Sequence, residues 1–371
     1  MPLCDTTADS QIGSFIYAFA GQNPYEIQKI DSTSFKLINK ISLPFSSACE
    51  ILAVNPAQSL VYLSRNAKST GTRTFDVVST ATDTITGSVD LALPNGYTGR
   101  IAGLVFSKDG SRAFVSLPDM DAVMIVSSDL TTLLAVINTG SATTPFAGTL
   151  SPDGAWLYVP LWSNRIAIIN TAYQTLQGIQ PTFNWSSGSP QRIVVSPDGN
   201  TVYVSLWNDG THGTLLALQT TTNHDGFSLL NRLPMPEYCT MLNGSIALTA
   251  DGGKLYAQAD LNTVPYTFIV DTKTYSMTQQ SIASLDASAV FIRTRDGNRI
   301  IAAQCNYFSM GYSSVLSLDP AGDIVSASLN LSSIQTQNAP FNHVLVDTHP
   351  ACLMAIPGWC GTAGQGRPRS D

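Results

Sequence analysis

A strand–turn–strand unit recurs along this chain from near its start to near its end, and it restricts the fold more than any other feature. The clearest copy is Ile193-Val-Val-Ser-Pro-Asp-Gly-Asn-Thr-Val-Tyr-Val-Ser205. A short β-branched run leads into Pro197-Asp198-Gly199, where proline presets φ and glycine tolerates a positive φ, and β-formers resume at Thr201. Aligned on the turn aspartate, the copies fall at Ala57, Asp109, Asp153, Asp198, Asp251, Asp296 and, in degenerate form, His349, with spacings of 52, 44, 45, 53, 45 and 53 residues. A period of that length with only strand and turn signals inside it predicts a β-propeller.

The spacing sets the domain organisation. One closed, all-β domain over residues 1–371 is expected, with seven four-stranded antiparallel blades. Six are complete, near 48–92, 101–139, 146–181, 190–234, 244–283 and 288–330. Residues 14–45 supply only three strands, Phe15–Phe19, Tyr25–Ile30 and Leu37–Leu43, and the chain carries a spare strand at the other end, His343–Asp347. Pairing the two closes the ring and removes the free edge that an open sheet exposes. The tail at 351–371 is expected to wrap over that seam, stapled by a bridge from Cys4 to Cys352 or Cys360.

Composition narrows the setting. Charged residues make up only 12% of the chain against 44% hydrophobic, a balance suited to an extracellular β protein. A net charge of −7 argues against a nucleic-acid partner, which requires a basic surface. No apolar run reaches membrane-spanning length. The segment after Met1 has neither a basic nor an apolar signal region, so a secretion signal is expected to have been removed. The six cysteines, Cys4, Cys49, Cys239, Cys305, Cys352 and Cys360, lack CxxC spacing and lean towards disulfides of open pairing. Sequons at Asn184, Asn243 and Asn330 are compatible with a glycosylated, secreted protein.

The runs Ser151-Pro-Asp-Gly-Ala-Trp-Leu-Tyr-Val159 and Ser196-Pro-Asp-Gly-Asn-Thr-Val-Tyr-Val204 resemble the repeats of the YVTN family of β-propellers, and the likeness extends over nearly the whole chain. In such repeats the strand before the Asp-Gly turn is innermost. The resemblance therefore implies that residues just before each inner strand and loops after each second strand build the mouth of the central channel on the face opposite those turns.

That mouth contains Glu50, Arg100, Phe146, Gln191, Arg192, Met241 and Asn243 from the first set, with Phe341 and His343. The second set supplies Trp162, Trp207 and Tyr307. Aromatic, amide and methionine side chains with few charges suit an apolar small molecule carrying a few polar handles. The bland alternative for each tryptophan is packing between blades. For Arg100 and Arg192 it is pairing with Glu50 or Asp286 as a brace, against a role in holding an anionic or enolic oxygen by forked hydrogen bonds. His343 has the ordinary pKa best suited to proton transfer near neutrality; the other histidines are His212, His224 and His349, with no paired spacing.

Within the YVTN group the chain resembles, across its whole length and not through a diagnostic motif, the fungal hetero-Diels–Alderases of tropolonic sesquiterpene pathways. That likeness implies a cofactor-free enzyme that assists loss of water from a hydroxymethyl tropolone or similar phenol. The resulting o-quinone methide then adds to a terpene alkene. Phe146, Trp162, Trp207, Met241 and Phe341 would seat the terpene. Arg192, Gln191, His343 or Tyr307 would bind the oxygens and carry the proton, and no metal is called for.

Two other functions stay open. One is a lactonase, either metal-assisted through Glu50, Asn243, Asp286 and Asn342 or relying on an Arg and His pair. The run Ser189-Pro-Gln-Arg-Ile193 keeps the arginine of the Gly-Pro-Arg-His type found in propeller lactonases and lacks its histidine. The other is a non-enzymatic binding or cell-surface propeller.

Overall fold

The computed structural model describes residues 15–20, 26–43, 52–55, 57, 59–64, 74–182, 188–207, 212–237, 239–240, 245–261, 264–280, 288–293, 299–305, 313–332 and 345–347. They form seven antiparallel blades in a ring. The first joins Phe15–Ala20, Glu26–Asp31 and Leu37–Ser42 to an inner strand from the far end of the chain, Leu345–Asp347, with Tyr17 opposite Val346. This is the closure expected from the spare strand. The Cys4 staple lies outside the described residues.

Blades two to four run in chain order from inner to outer strand. Blade two is Leu52–Asn55, Leu60–Ser64, Thr74–Ser79 and Thr84–Asp90. Blade three is Gly103–Phe106, Arg112–Leu117, Ala122–Ser127 and Leu133–Asn138, and blade four is Thr149–Leu150, Trp156–Leu161, Arg165–Asn170 and Thr175–Pro181.

Blade five is Pro190–Val195, Thr201–Leu206, Thr214–Thr220 and Phe227–Pro234. Blade six is Ile246–Leu248, Lys254–Leu261, Val264–Asp271 and Met277–Gln280, with Cys239–Thr240 also paired to its second strand. Blade seven is Ser288–Arg293, Ile300–Cys305, Ser313–Asp319 and Ile324–Ser332. The one helical turn among the described residues is Pro118–Met120. No helix there is long and apolar enough to cross a membrane.

Successive side chains on a strand point to opposite faces, and each blade packs a neighbour on both faces, so the second and third strands read as apolar runs rather than as alternating ones. Arg165–Asn170 buries four consecutive residues, Ile166 to Ile169, whereas the outer strand Leu37–Ser42 buries only Ile41. The core is accordingly split into seven apolar layers, one per blade-to-blade interface. Between blades four and five, for example, Tyr158, Ile166 and Ile168 meet Ile193, Val204, Leu216 and Phe227. Each such aliphatic or aromatic side chain contributes roughly 1.5–3 kcal/mol on burial. Cys239 is buried in the layer between blades five and six.

The inner strands touch their neighbours around the ring, which places them at the central channel. Between blades three and four the approach is close enough to require glycine, because a Cβ on Gly103 would lie 2.6 Å from that of Ala147. The turns after the inner strands carry Gly110, Gly154, Gly199 and Gly252 at φ between 66° and 77°. Each preceding Ser or Thr hydroxyl binds the turn aspartate: Ser107 to Asp109, Ser151 to Asp153, Ser196 to Asp198 and Thr249 to Asp251.

Candidate functional site

With the inner strand leading into the Asp-Gly turn, antiparallel pairing puts the loop after the second strand and the approach to the inner strand together on the opposite face. On that face three of the sequence-selected residues meet. The rings of Phe146 and Trp162 lie 5.9 Å apart, edge to face, and those of Trp162 and Trp207 lie 5.2 Å apart, tilted by 35°. Phe146 and Trp162 come from the two mouth loops of blade four and Trp207 from blade five. Trp162 keeps 42% of its surface exposed, so it sits at the rim instead of in the inter-blade core. Aromatic contacts of this kind contribute about 0.5–1.5 kcal/mol beyond their buried area.

Local hydrogen bonds hold the row in place. The Phe146 N–H donates to Pro160 O at 2.9 Å and the Trp162 N–H to Thr144 O at 3.2 Å. The Ser116 hydroxyl of blade three caps Phe146 O at 2.7 Å. On the other flank Ser189 Oγ donates to Trp162 O and to Asn164 Oδ1, both at 3.0 Å, and the Trp207 N–H donates to Ser189 O at 2.8 Å.

The same stretch carries Gln191 and Arg192. Pro190 faces Leu206 and Arg192 faces Ser205, so Gln191 is an extra residue with no partner across the ladder. The other six pairings of an inner with a second strand have no such shift among the described residues. A bulge bends the strand and re-aims its side chains, and proline is tolerated there because no ladder donor is needed. Gln191 Nε2 lies 3.4 Å from Ser189 O, and the Arg192 N–H donates to Ser205 Oγ at 3.1 Å. The Arg192 side chain is partly buried. Burial pushes its guanidinium pKa down to about 10, which leaves it charged at neutral pH.

Arg100 is different. It is exposed, and its guanidinium pairs with Asp119 at 2.9 Å; Glu50 and Asp286, the partners named for it from the sequence, lie outside the described residues. Glu50, Met241, Asn243, Tyr307, Phe341 and His343 lie outside the described residues, as do Asp286 and Asn342 of the metal-assisted alternative. Among the described residues no group of three or more His, Cys, Asp or Glu is placed to hold a metal ion. His224 lies on the Asp-Gly face, stacked on Trp156 at 4.6 Å with Nδ1 3.1 Å from the Tyr158 hydroxyl.

Asp121 went unselected in the sequence. At φ 51° after the Pro118–Met120 turn, its carboxylate accepts the backbone N–H groups of Ala142, Thr143 and Thr144 at 2.7, 2.7 and 2.8 Å. Although partial burial works against it, those three donors hold the carboxyl pKa below its ordinary value. Thr144 is also the residue whose carbonyl receives the Trp162 N–H, so Asp121 of blade three fixes the loop that presents the aromatic row. Its signal was an Asp immediately before a third strand, in the slot that Asn164 fills in blade four. Both have positive φ, which Asp and Asn tolerate.

No protein-family model matches the sequence, and no curated protein matches it. Solved structures do match in shape. A protein from Lactobacillus plantarum aligns with a TM-score of 0.65 at 15% identity, covering 87% of this chain and 97% of that one. A putative 6-phosphogluconolactonase from Bacteroides uniformis aligns at 0.56 and 15% identity, covering 72% and 81%. The β-propeller domain of Cps50 (Swd1) from Myceliophteria thermophila aligns at 0.59 and 10% identity, covering 79% and 90%. At these identities the likeness is one of fold, and the protein is a seven-bladed β-propeller.

Proposed function

We propose that the channel mouth between blades four and five binds an unsaturated, oxygen-bearing small molecule and orients it for an intermolecular hetero-Diels–Alder addition. The observation that carries the binding part is the Phe146–Trp162–Trp207 row, partly open to solvent and adjoining the bulged segment with Gln191 and Arg192. The reaction itself rests on the whole-chain resemblance described for the sequence.

The chemistry asks little of the protein beyond placement. A hydroxymethyl phenol or tropolone loses water to give an o-quinone methide. Four π electrons of its C=C–C=O unit and two of an alkene then become one C–C bond, one C–O bond and one new C=C bond. No electrons enter or leave, so the balance calls for no redox partner. Holding both reactants in one orientation supplies up to roughly 7–11 kcal/mol. A guanidinium or amide N–H at the heterodiene oxygen stabilises the charge that develops there. The aromatic row offers the apolar wall for the alkene partner. The sequons and low charge content support a secreted setting.

The test is tryptophan fluorescence with a tropolone-like phenol and an apolar terpene alkene, followed by product analysis of the mixture. Saturable quenching that Trp162→Ala removes, together with a stereochemically single adduct, is the expected result. An unchanged spectrum with both compounds overturns the reading. The lactonase alternative, which accords with the name of the Bacteroides uniformis neighbour, is scored in the same sample by lactone hydrolysis.

A further inference from the structure

We propose that two copies of this chain join edge to edge at the outer rim of blade three, through the strand Leu133–Asn138. The inference is independent of what the channel mouth binds.

An outermost strand is paired on one side only, so each blade ends in main-chain donors and acceptors that a further strand can take up. Proteins guard such edges with charged residues, with proline or by keeping the strand short. Leu37–Ser42 has Lys40, Thr84–Asp90 ends in an aspartate, Thr175–Pro181 ends in a proline, and Phe227–Pro234 has both Arg232 and a terminal proline. Met277–Gln280 is four residues long, and Ile324–Ser332 contains the sequon at Asn330. The outer strand of blade three reads Leu-Leu-Ala-Val-Ile-Asn and has none of these features. It also leaves Leu133, Leu134 and Val136 exposed. Its register shift, at Leu134, falls near the hairpin and leaves residues 135–138 in regular pairing.

The register fixes how a second strand would add. The Thr139 N–H donates to Asp121 O, so residues 139, 137 and 135 turn their main-chain groups inward to Ala122–Ser127. Val136 and Asn138 therefore turn theirs outward. A twofold axis through Ile137 pairs Val136 of each copy with Asn138 of the other in antiparallel fashion, each pair exchanging both of its hydrogen bonds.

Charge favours a second copy as the occupant. The chain carries a net charge of −7, so two copies repel except where no carboxylates oppose each other. Residues 130–152 contain no Asp, Glu, Lys or Arg. Neither does Thr175–Pro181, the outer strand of blade four, which touches Leu133–Asn138. A charged partner strand would meet no countercharge on this rim, whereas the same uncharged strand meets itself without repulsion. The rim is the part of the blade farthest from the central channel, so this pairing leaves both mouths open.

The experiment is a concentration series of the full chain by analytical ultracentrifugation, with hydrogen exchange followed on a peptide spanning residues 131–140. Twice the monomer mass at high concentration is expected, with protection of that peptide that grows as the dimer forms. Val136→Lys gives this edge the guard that Lys40 gives blade one, and should weaken association at least about tenfold because the pairing would bury the charge. Val136→Thr, still a strand former, should keep it. Leu230→Lys is the control, since Leu230 is exposed on the outer strand of blade five beside a strand that already carries Arg232; it should associate as the wild type does. A monomer at every concentration overturns the inference. A dimer that Val136→Lys leaves intact, or that Leu230→Lys weakens equally, also overturns it by moving the interface elsewhere. Protection of residues 131–140 that appears only when a different protein is added overturns the choice of a second copy. The wild-type series needs no variant, so a folding defect in Val136→Lys does not remove the test.

Discussion

The Tyr17 hydroxyl donates to Asp83 Oδ1 at 2.9 Å, across 66 residues of sequence and from one blade to the next. The relationship repeats. Tyr62 donates to Ser128 O, Tyr158 meets His224 Nδ1, Tyr203 meets Thr272 and Tyr256 donates to Asp323. In every case the tyrosine is the third residue of a second strand, or of Phe15–Ala20, which fills that place in blade one. Its partner is in the hairpin between the third and fourth strands of the following blade. In two interfaces a lysine reinforces the latch: Lys29 Nζ lies 2.8 Å from Asp83 and Lys254 Nζ 2.8 Å from Asp323. Tyr17→Phe and Tyr256→Phe are therefore expected to cost about 1 kcal/mol each, since each removes one hydrogen bond and little apolar area. Denaturant midpoints with unchanged slopes would show this, and a null effect in both would remove the latches from the stability account.

Ionisation of these tyrosines opposes folding. Burial, and for Tyr17 and Tyr256 a hydrogen bond to an aspartate as well, raises each phenol above its ordinary value of 10.0, with Tyr62 at about 12. The folded value exceeds the unfolded one, so the stabilisation is complete below the unfolded value and is lost as pH climbs through the folded one. Stability should hold up to about pH 10 and then fall steeply. Phenolate absorbance is expected to appear with unfolding; a smooth titration of every tyrosine in the folded state would contradict it.

Much of the fold was legible because the repeat states itself locally. The Ser-Pro-Asp-Gly turns, the Tyr two residues into each following strand and the spare inner strand are all read without knowing any contact. The aromatic row was legible for the same reason, since Phe146, Trp162 and Trp207 occupy fixed places relative to the repeat. The Gln191 bulge and the Asp121 clamp were not, because each depends on how one segment meets another in space. Asp121 acts on a loop some twenty residues away in the adjoining blade, and no periodicity records that. Arg100 shows the converse, for a residue in a mouth position is taken up by Asp119 once the short helical turn forms.

Acid should loosen the opposite face. The Ser or Thr hydroxyl before each Asp-Gly turn is the leading cause that holds Asp109, Asp198 and Asp251 below the ordinary carboxylate value of 3.8. These folded values are depressed, so their contribution is present above the unfolded value and is lost as pH falls through the folded one. The same hydroxyl accepts a backbone N–H five residues on, as Ser196 does from Thr201 at 2.8 Å. Ser196→Ala is expected to cost about 1 kcal/mol at neutral pH and less in acid, once the pH has fallen through the lowered folded value and Asp198 is protonated in both states. Melting temperatures of the variant and parent across acid pH would reveal that convergence; parallel curves would not agree with it.

Asp121 provides a test of positioning separate from contact. Asp121→Ala leaves three backbone donors of residues 142–144 without their acceptor and should release the loop that receives the Trp162 N–H. Ligand affinity at the aromatic row is expected to fall several-fold although Asp121 is not itself part of that row. Asp121→Asn, which keeps a carbonyl oxygen, should restore part of it. Identical affinity in all three proteins, with a measurable loss of stability in Asp121→Ala, would reduce the residue to a purely structural role.

Gly188 sets how closely the approach to the fifth inner strand can lie against Trp207. A Cβ at this position would stand 2.1 Å from Trp207 O and 3.0 Å from Leu206 Cβ. The first contact is with backbone, which cannot swing aside as a side-chain tip can. Relief requires either residue 188 or Trp207 to move, and both flank the Trp207 N–H to Ser189 O bond of 2.8 Å. Overpacking of this kind costs typically 1–3 kcal/mol. Gly188→Ala is therefore expected to lower the unfolding midpoint and, in the fraction that folds, to shift tryptophan emission as Trp207 leaves Trp162. Gly87, around which a Cβ would meet nothing within 4 Å, supplies the control. Gly87→Ala should leave the emission unchanged, and an equal shift in both variants would show that the emission does not report the Trp162–Trp207 contact.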